Sequence, residues 1–170
     1  MPDKPHVIVG TAGHIDHGKS ALVKALTGTD PDTLPEEKLR GMTIELGFVF
    51  LEDPAAEKQV VFIDVPGHER FIRTMAAGAS HVDAALLIIA ADEGIAVQTR
   101  EHFDILQLLG IRHGFIALTK SDLVTEERLR ELGATVRHFV QGTFLDGAPV
   151  IPVSAVTGAG LNDIRGALAD

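Results

Sequence analysis

Residues Gly13-His14-Ile15-Asp16-His17-Gly18-Lys19-Ser20 set two glycines around a short polar loop and close it with a lysine and a hydroxyl. They follow the apolar run "HVIVG" (His6–Gly10) and precede the helix-like "SALVKAL" that begins at Ser20. This is the spacing G-x-x-x-x-G-K-[ST], a loop whose backbone N–H groups converge on phosphate oxygens. Glycine lets the backbone curl that tightly, and the following helix adds the positive end of its dipole. Lys19 is expected to reach the β- and γ-phosphates, and the Ser20 hydroxyl to ligate Mg²⁺. Asp16, His17, Gly18, Lys19, Ser20 and Ala21 form the expected phosphate-binding set. His14 and His17 suggest a metal pair, but a metal site needs three or four ligands and none is clearly supplied nearby. Packing or hydrogen bonding within the loop is the expectation for both.

Three later stretches bear on the same ligand. In "FIDVPGHE", Asp64 ends a strand, where a carboxylate can hold Mg²⁺ through water, and Gly67 can offer its N–H to a γ-phosphate. In "LTKSD", Asp122 is placed to accept hydrogen bonds from the N1–H and 2-amino group of guanine, while the stem of Lys120 covers one face of the base. Adenine offers no such donor pair, so ATP would leave the carboxylate unpaired at a heavy cost. In "VSAVTGAG", Ser154 and Ala155 can supply a backbone N–H to guanine O6. Thr119 and Val156 complete the expected guanine-binding set.

The elements that must position these groups alternate. Short β-branched runs, "HVIVG", "IELGFVFLE", "VVFIDV", "AALLIIAA", "GFIALTK" and "APVIPVS", are separated by helical patterns. Among the latter, "TEERLRELGATVRHFVQG" carries apolar residues at Leu129, Leu132, Val136, Phe139 and Val140, a helical spacing. Alternation of continuous apolar strands with helices predicts an α/β fold around a mainly parallel sheet. Such sheets bind ligands at the carboxyl ends of their strands.

Composition narrows the class. The 170 residues suit one domain with a substantial core. Without cysteine there is neither a disulfide framework nor a thiolate metal site. No basic-then-apolar leader opens the chain and no apolar run approaches the roughly 18 residues of a membrane span, so a cytoplasmic protein is expected. The net charge of −9 argues against general electrostatic binding of nucleic acid, which runs on clustered Lys and Arg.

On these motifs the chain resembles the guanine-nucleotide-binding (G) domain of translational GTPases, from Gly13 to the last helix. "GHIDHGKS" resembles the elongation-factor loop GHVDHGK[ST], and "DVPGHE" the second switch. The resemblance implies a three-layer P-loop NTPase fold with a six-stranded, mostly parallel sheet. It implies that His68 positions the attacking water once the ribosome docks, and that Ile15 and Met42 hold His68 away until then. It further implies Thr43 as a Mg²⁺ ligand in the GTP state, and a monovalent cation beside Asp16.

"LPEEKLRGMTIELGF" (Leu34–Phe48) is most similar to the selenocysteine-specific elongation factors. This implies selenocysteyl-tRNA and the ribosome as partners of a longer, monomeric factor. The β-barrel and winged-helix domains of that family are expected to be absent, leaving residues 1–170 as a single G domain. "EEKLRG" is also similar to the γ-subunit of initiation factor two, so a nucleotide-switch module of that type, or one like elongation factor Tu, with little intrinsic hydrolysis stays open. One departure stands out. Thr119 occupies the place where most GTPases have asparagine, which removes an amide that usually braces the phosphate loop.

Overall fold

A strand such as Ala84–Ala90, apolar at every position, has no side that can face water. The computed structural model, which describes residues 6–31, 47–51, 58–64 and 82–169, places it in the middle of a six-stranded sheet with packed layers on both faces. The strands are β1 (His6–Gly13), β2 (Gly47–Leu51), β3 (Gln59–Asp64), β4 (Ala84–Ala90), β5 (His113–Thr119) and β6 (Val150–Pro152), in the order β2-β3-β1-β4-β5-β6. Among the described residues only the edge strand β2 runs antiparallel, against β3, and the other pairings are parallel. The expected α/β architecture with a mainly parallel sheet is observed.

The two faces of β4 and β5 divide the core by the period of two that any strand obeys. Leu87, Ile89, Ile116 and Leu118 pack with Phe103, Leu106, Leu132 and Val136. The last four come from α2 (Val97–Leu108) and α3 (Glu126–Phe139). Leu86, Ile88, Phe115 and Ala117 pack on the other side with Leu22, Val23, Leu26 and Ile164. These belong to α1 (Lys19–Thr27) and α4 (Leu161–Ala169). Of the apolar residues anticipated for α3, Leu132, Val136 and Val140 are buried, and Leu129 and Phe139 pack partly buried against the same cluster. The start of α3 is fixed by Thr125, whose hydroxyl accepts from Arg128 N–H at 3.2 Å, with Glu126 and Glu127 in the first turn complementing the dipole.

The parallel registers bring the carboxyl ends of the strands to one edge. Thr11 of β1 lies opposite Asp64 of β3, Gly13 opposite Ile88 of β4, and Ala90 opposite Thr119 of β5. Among the described residues no helix is long and apolar enough to cross a membrane.

Candidate nucleotide-binding site

The loop between β1 and α1 is shaped by three residues with different tasks. Gly13 (φ 154°) lies so close to β4 that a Cβ would sit 2.3 Å from the carbonyl oxygen of Ile88. Gly18 (φ 83°) has ordinary room for a Cβ, its nearest neighbour Thr119 being 3.8 Å away. Its requirement is conformational, because it occupies the left-handed region at the N-cap of α1. Asp16 takes the same region (φ 63°) without being glycine, as aspartate tolerates, and is exposed. The N-cap residue Gly18 has no side chain with which to cap α1, and the positive end of the helix dipole lies at the loop. Lys19 is buried, and its ammonium donates to the His14 carbonyl at 3.4 Å. A buried cation within this loop is the complement of a polyphosphate. Ser20 follows half-buried, and Ala21 lies exposed on the first turn. With the end of β3 at the same sheet edge, this donor set fits a phosphate chain carrying Mg²⁺.

The loop is braced from β5. The Thr119 hydroxyl donates to the His17 carbonyl oxygen at 2.5 Å. The amide is absent, as the sequence says, but the threonine hydroxyl reaches the loop backbone itself, because Gly18 brings the loop against the end of β5.

His17 packs within the loop on His14, as expected, while its side-chain hydrogen bonds reach outside the loop. Its ring is fully buried, and Nδ1 accepts from Ala90 N–H at 3.2 Å. The proton therefore sits on Nε2, which donates to Glu93 Oε2 at 3.3 Å. Burial lowers its pKa, against the opposing pull of the Glu93 carboxylate, so the neutral ring is held. Ligand atoms of His14, His17 and Glu93 gather within 4.8 Å of one another. A metal would need the Nε2 lone pair of His17, which the tautomer fixed by Ala90 denies it. The trio is a hydrogen-bonded and edge-to-face packed cluster, with the two imidazoles 5.0 Å apart.

The residues expected to read guanine assemble beside it. Lys120 leaves β5 with left-handed backbone (φ 55°), starting the short turn Ser121–Leu123 that carries Asp122. Asp122 Oδ1 accepts from the buried Ser154 hydroxyl at 2.7 Å, and the same hydroxyl accepts from Thr157 N–H at 3.1 Å. The carboxylate is thus aimed from below by the loop after β6. Ala155 is half-buried and Val156 exposed in the turn that follows. Ile15 is half-buried, and its N–H donates to Gln98 Oε1 at 3.3 Å. Asp64 ends β3 beside the loop strand. Met42, Thr43, Gly67 and His68 lie outside the described residues.

Sequence reasoning missed three participants. Glu93 follows β4 and pairs with Lys120 at 3.6 Å. Gln98 reaches the loop backbone. His102, outside every motif, is fully buried beneath the loop, where its Nδ1 accepts from Gly13 N–H at 3.4 Å. Its pKa is pushed down to about 4, by burial first and then by the Lys19 ammonium. A signal for His102 existed: it shares the buried face of α2 with Thr99, Phe103 and Leu106.

A phosphate loop and a base-reading loop on one edge of this sheet define a P-loop nucleotide-binding domain of the guanine type. Residues 4–170 match the elongation factor Tu GTP binding domain family, and the chain belongs to that family of translational GTPases. It is 57% identical over 164 residues to the selenocysteine-specific elongation factor of Desulfomicrobium baculatum, covering 96% of this chain and 26% of that protein. It is 43% identical over 183 residues to translation initiation factor 2 subunit gamma of Thermococcus kodakarensis, covering 95% and 45%. Its fold is similar to that of a bacterial selenocysteine-specific elongation factor, EF-Sec, with a TM-score of 0.91 and 40% identity over 96% of this chain and 28% of that one. Elongation factor SelB from Methanococcus maripaludis, solved with the GTP analogue GppNHp, is also similar, with a TM-score of 0.83 and 31% identity over 99% and 34%. The chain thus spans about a quarter of the length of the selenocysteine-specific relative.

Proposed function

We propose that this chain is the GTP-binding and GTP-hydrolysing domain of an elongation factor that delivers selenocysteyl-tRNA to the ribosome. The observation that carries the reading is the meeting, on one sheet edge, of the Lys19 phosphate loop with an Asp122 carboxylate aimed by Ser154. The likeness to selenocysteine-specific factors supports the particular assignment.

Phosphoryl transfer asks the protein mainly for positioning and charge neutralisation. The amides of Asp16 to Ala21 and the Lys19 ammonium hold the β- and γ-phosphates. Ser20, Thr43 and Asp64 hold Mg²⁺, which supplies positive charge against the phosphate oxygens. Asp122 accepts from guanine N1–H and the 2-amino group, Lys120 covers the base, and the loop of Ser154, Ala155 and Val156 faces O6. Gly67 donates to the γ-phosphate, and His68 orients the attacking water once ribosome docking relieves the gate of Ile15 and Met42. Asp16 takes a monovalent cation beside the phosphates. Residues 1–170 act as one domain of a cytoplasmic, monomeric factor whose other domains carry the tRNA.

Calorimetric titration with GTP, GDP and ATP in Mg²⁺ tests the core of this reading. Both guanine nucleotides bind and ATP is silent; ATP binding as well as GTP sinks the role of Asp122. In the full-length factor, hydrolysis is stimulated by ribosomes and lost in His68→Ala. Unstimulated rates that His68→Ala leaves unchanged would favour a switch module instead, a second reading supported by the 43% identity to the initiation factor subunit. Identical hydrolysis rates in K⁺ and Na⁺ dispose of the cation at Asp16.

A further inference from the structure

One carboxylate touches both halves of the site. Glu93, in the turn after β4, accepts the Nε2–H of His17 through Oε2 at 3.3 Å and pairs with Lys120 Nζ through Oε1 at 3.6 Å. His17 belongs to the phosphate loop and Lys120 to the base-reading loop. The two contacts differ in kind. At the His17 end the ring is fully buried and its tautomer is fixed by Ala90 N–H, so Nε2 carries a donor that must be satisfied. At the Lys120 end the side chains are 30% and 48% exposed, and Asp92 shares the ammonium at 3.9 Å. Such a pair adds little stability, but together with Asp92 it holds the far end of the lysine stem. The left-handed backbone at Lys120 (φ 55°) turns that stem out of the strand, so its course over the site depends on what holds its far end.

We propose that Glu93 is a positioning residue that ties the base-reading loop to the phosphate loop, so that seating guanine against Lys120 and fixing the loop through His17 become one event. This deepens the nucleotide reading and rests on it. Order imposed on Glu93 from either side lowers the cost of ordering the other, and the coupling is reciprocal.

The test is a double-mutant cycle on the 170-residue chain. GDP affinity in Mg²⁺ is measured for the wild type, Glu93→Ala, Lys120→Ala and the double variant, with the ¹⁵N resonances of the His17 ring recorded alongside. Glu93→Ala is expected to weaken GDP by about tenfold and to shift the His17 Nε2 signal. In the Lys120→Ala background the same change costs only about threefold, because the His17 contact alone is left to lose. Equal factors in the two backgrounds, an affinity within about twofold of wild type, or an unmoved His17 ring would each overturn the proposal. Where Glu93→Ala lowers the melting temperature of the ligand-free chain, Glu93→Gln replaces it. Its amide oxygen still accepts from His17 but offers Lys120 no charge, so it should weaken GDP in the wild type and leave Lys120→Ala unaffected. A loss common to both backgrounds rejects the coupling. A wild-type chain that binds no GDP rejects the nucleotide reading itself, a result separate from any difference among the variants.

Discussion

The hydroxyl of Thr119 donates to the carbonyl oxygen of His17 at 2.5 Å, joining the last residue of β5 to the middle of the phosphate loop. Both residues are buried. A backbone acceptor stripped of water gains its partner from a side chain that β-sheet geometry already holds still. Thr119→Ala removes that donor. The expected cost is about 1–3 kcal/mol of stability, with GDP binding weakened several-fold as the loop loosens. Thr119→Ser, which keeps the hydroxyl, restores most of both. Urea unfolding and GDP titration of the two variants check this; an alanine variant indistinguishable from wild type would mean the bond is idle.

Asp122 and Ser154 make a specificity prediction. On the proposed reading, the side-chain oxygen in Asp122→Asn would keep accepting from guanine N1–H, but the new NH₂ would face the 2-amino group, donor against donor. Guanine nucleotides should lose about 2–4 kcal/mol of binding. Xanthine carries a carbonyl where guanine has its amino group, so XDP should bind the variant better than GDP does. Competition between GDP and XDP on wild type and variant reads the reversal directly.

Gly13 is expected to be intolerant for a steric reason. A methyl group there would press on the Ile88 carbonyl at 2.3 Å, on backbone at φ 154°. Gly13→Ala should destabilise by about 3 kcal/mol or leave the chain unfolded. Gly28→Ala meets no atom within 4 Å of the added methyl, so it carries only the strain of φ 77°. Comparing the two in urea separates close approach from conformation.

The buried histidine under the loop gives the domain a dependence on pH. With the pKa of His102 pushed down from 6.5 to about 4, the unfolded chain binds the extra proton and the folded chain refuses it. Stability from this group is complete above pH 6.5 and declines as pH falls toward 4, by roughly 3 kcal/mol in all. His17 shifts in the same direction for the same first cause, burial. His102→Asn keeps an acceptor for Gly13 N–H and cannot take the proton, so unfolding measured between pH 7 and 4.5 should fall less steeply. An unchanged slope would mean that His102 does not resist protonation.

Much of this domain was legible without coordinates because its signals are local. The unbroken run "AALLIIA" dictates a strand buried on both faces, and the glycine-lysine-serine spacing dictates a loop between strand and helix. Asp122 and Ser154 were each visible as strand-end motifs, although their hydrogen bond was not. What stayed hidden depends on contacts between segments far apart in sequence. Nothing in the order of residues reports that Thr119 lies over His17, that Glu93 spans His17 and Lys120, or that His102 accepts from Gly13.

The sequence by itself determined the elements and the chemical types at their ends, since periodicity and turn chemistry act over a few residues. Only the tertiary structure decided the roles of the histidines and the meaning of the threonine at 119. A ring's tautomer and a hydroxyl's partner are set by which backbone groups the parallel registers of β1, β4 and β5 bring within about 3 Å of it.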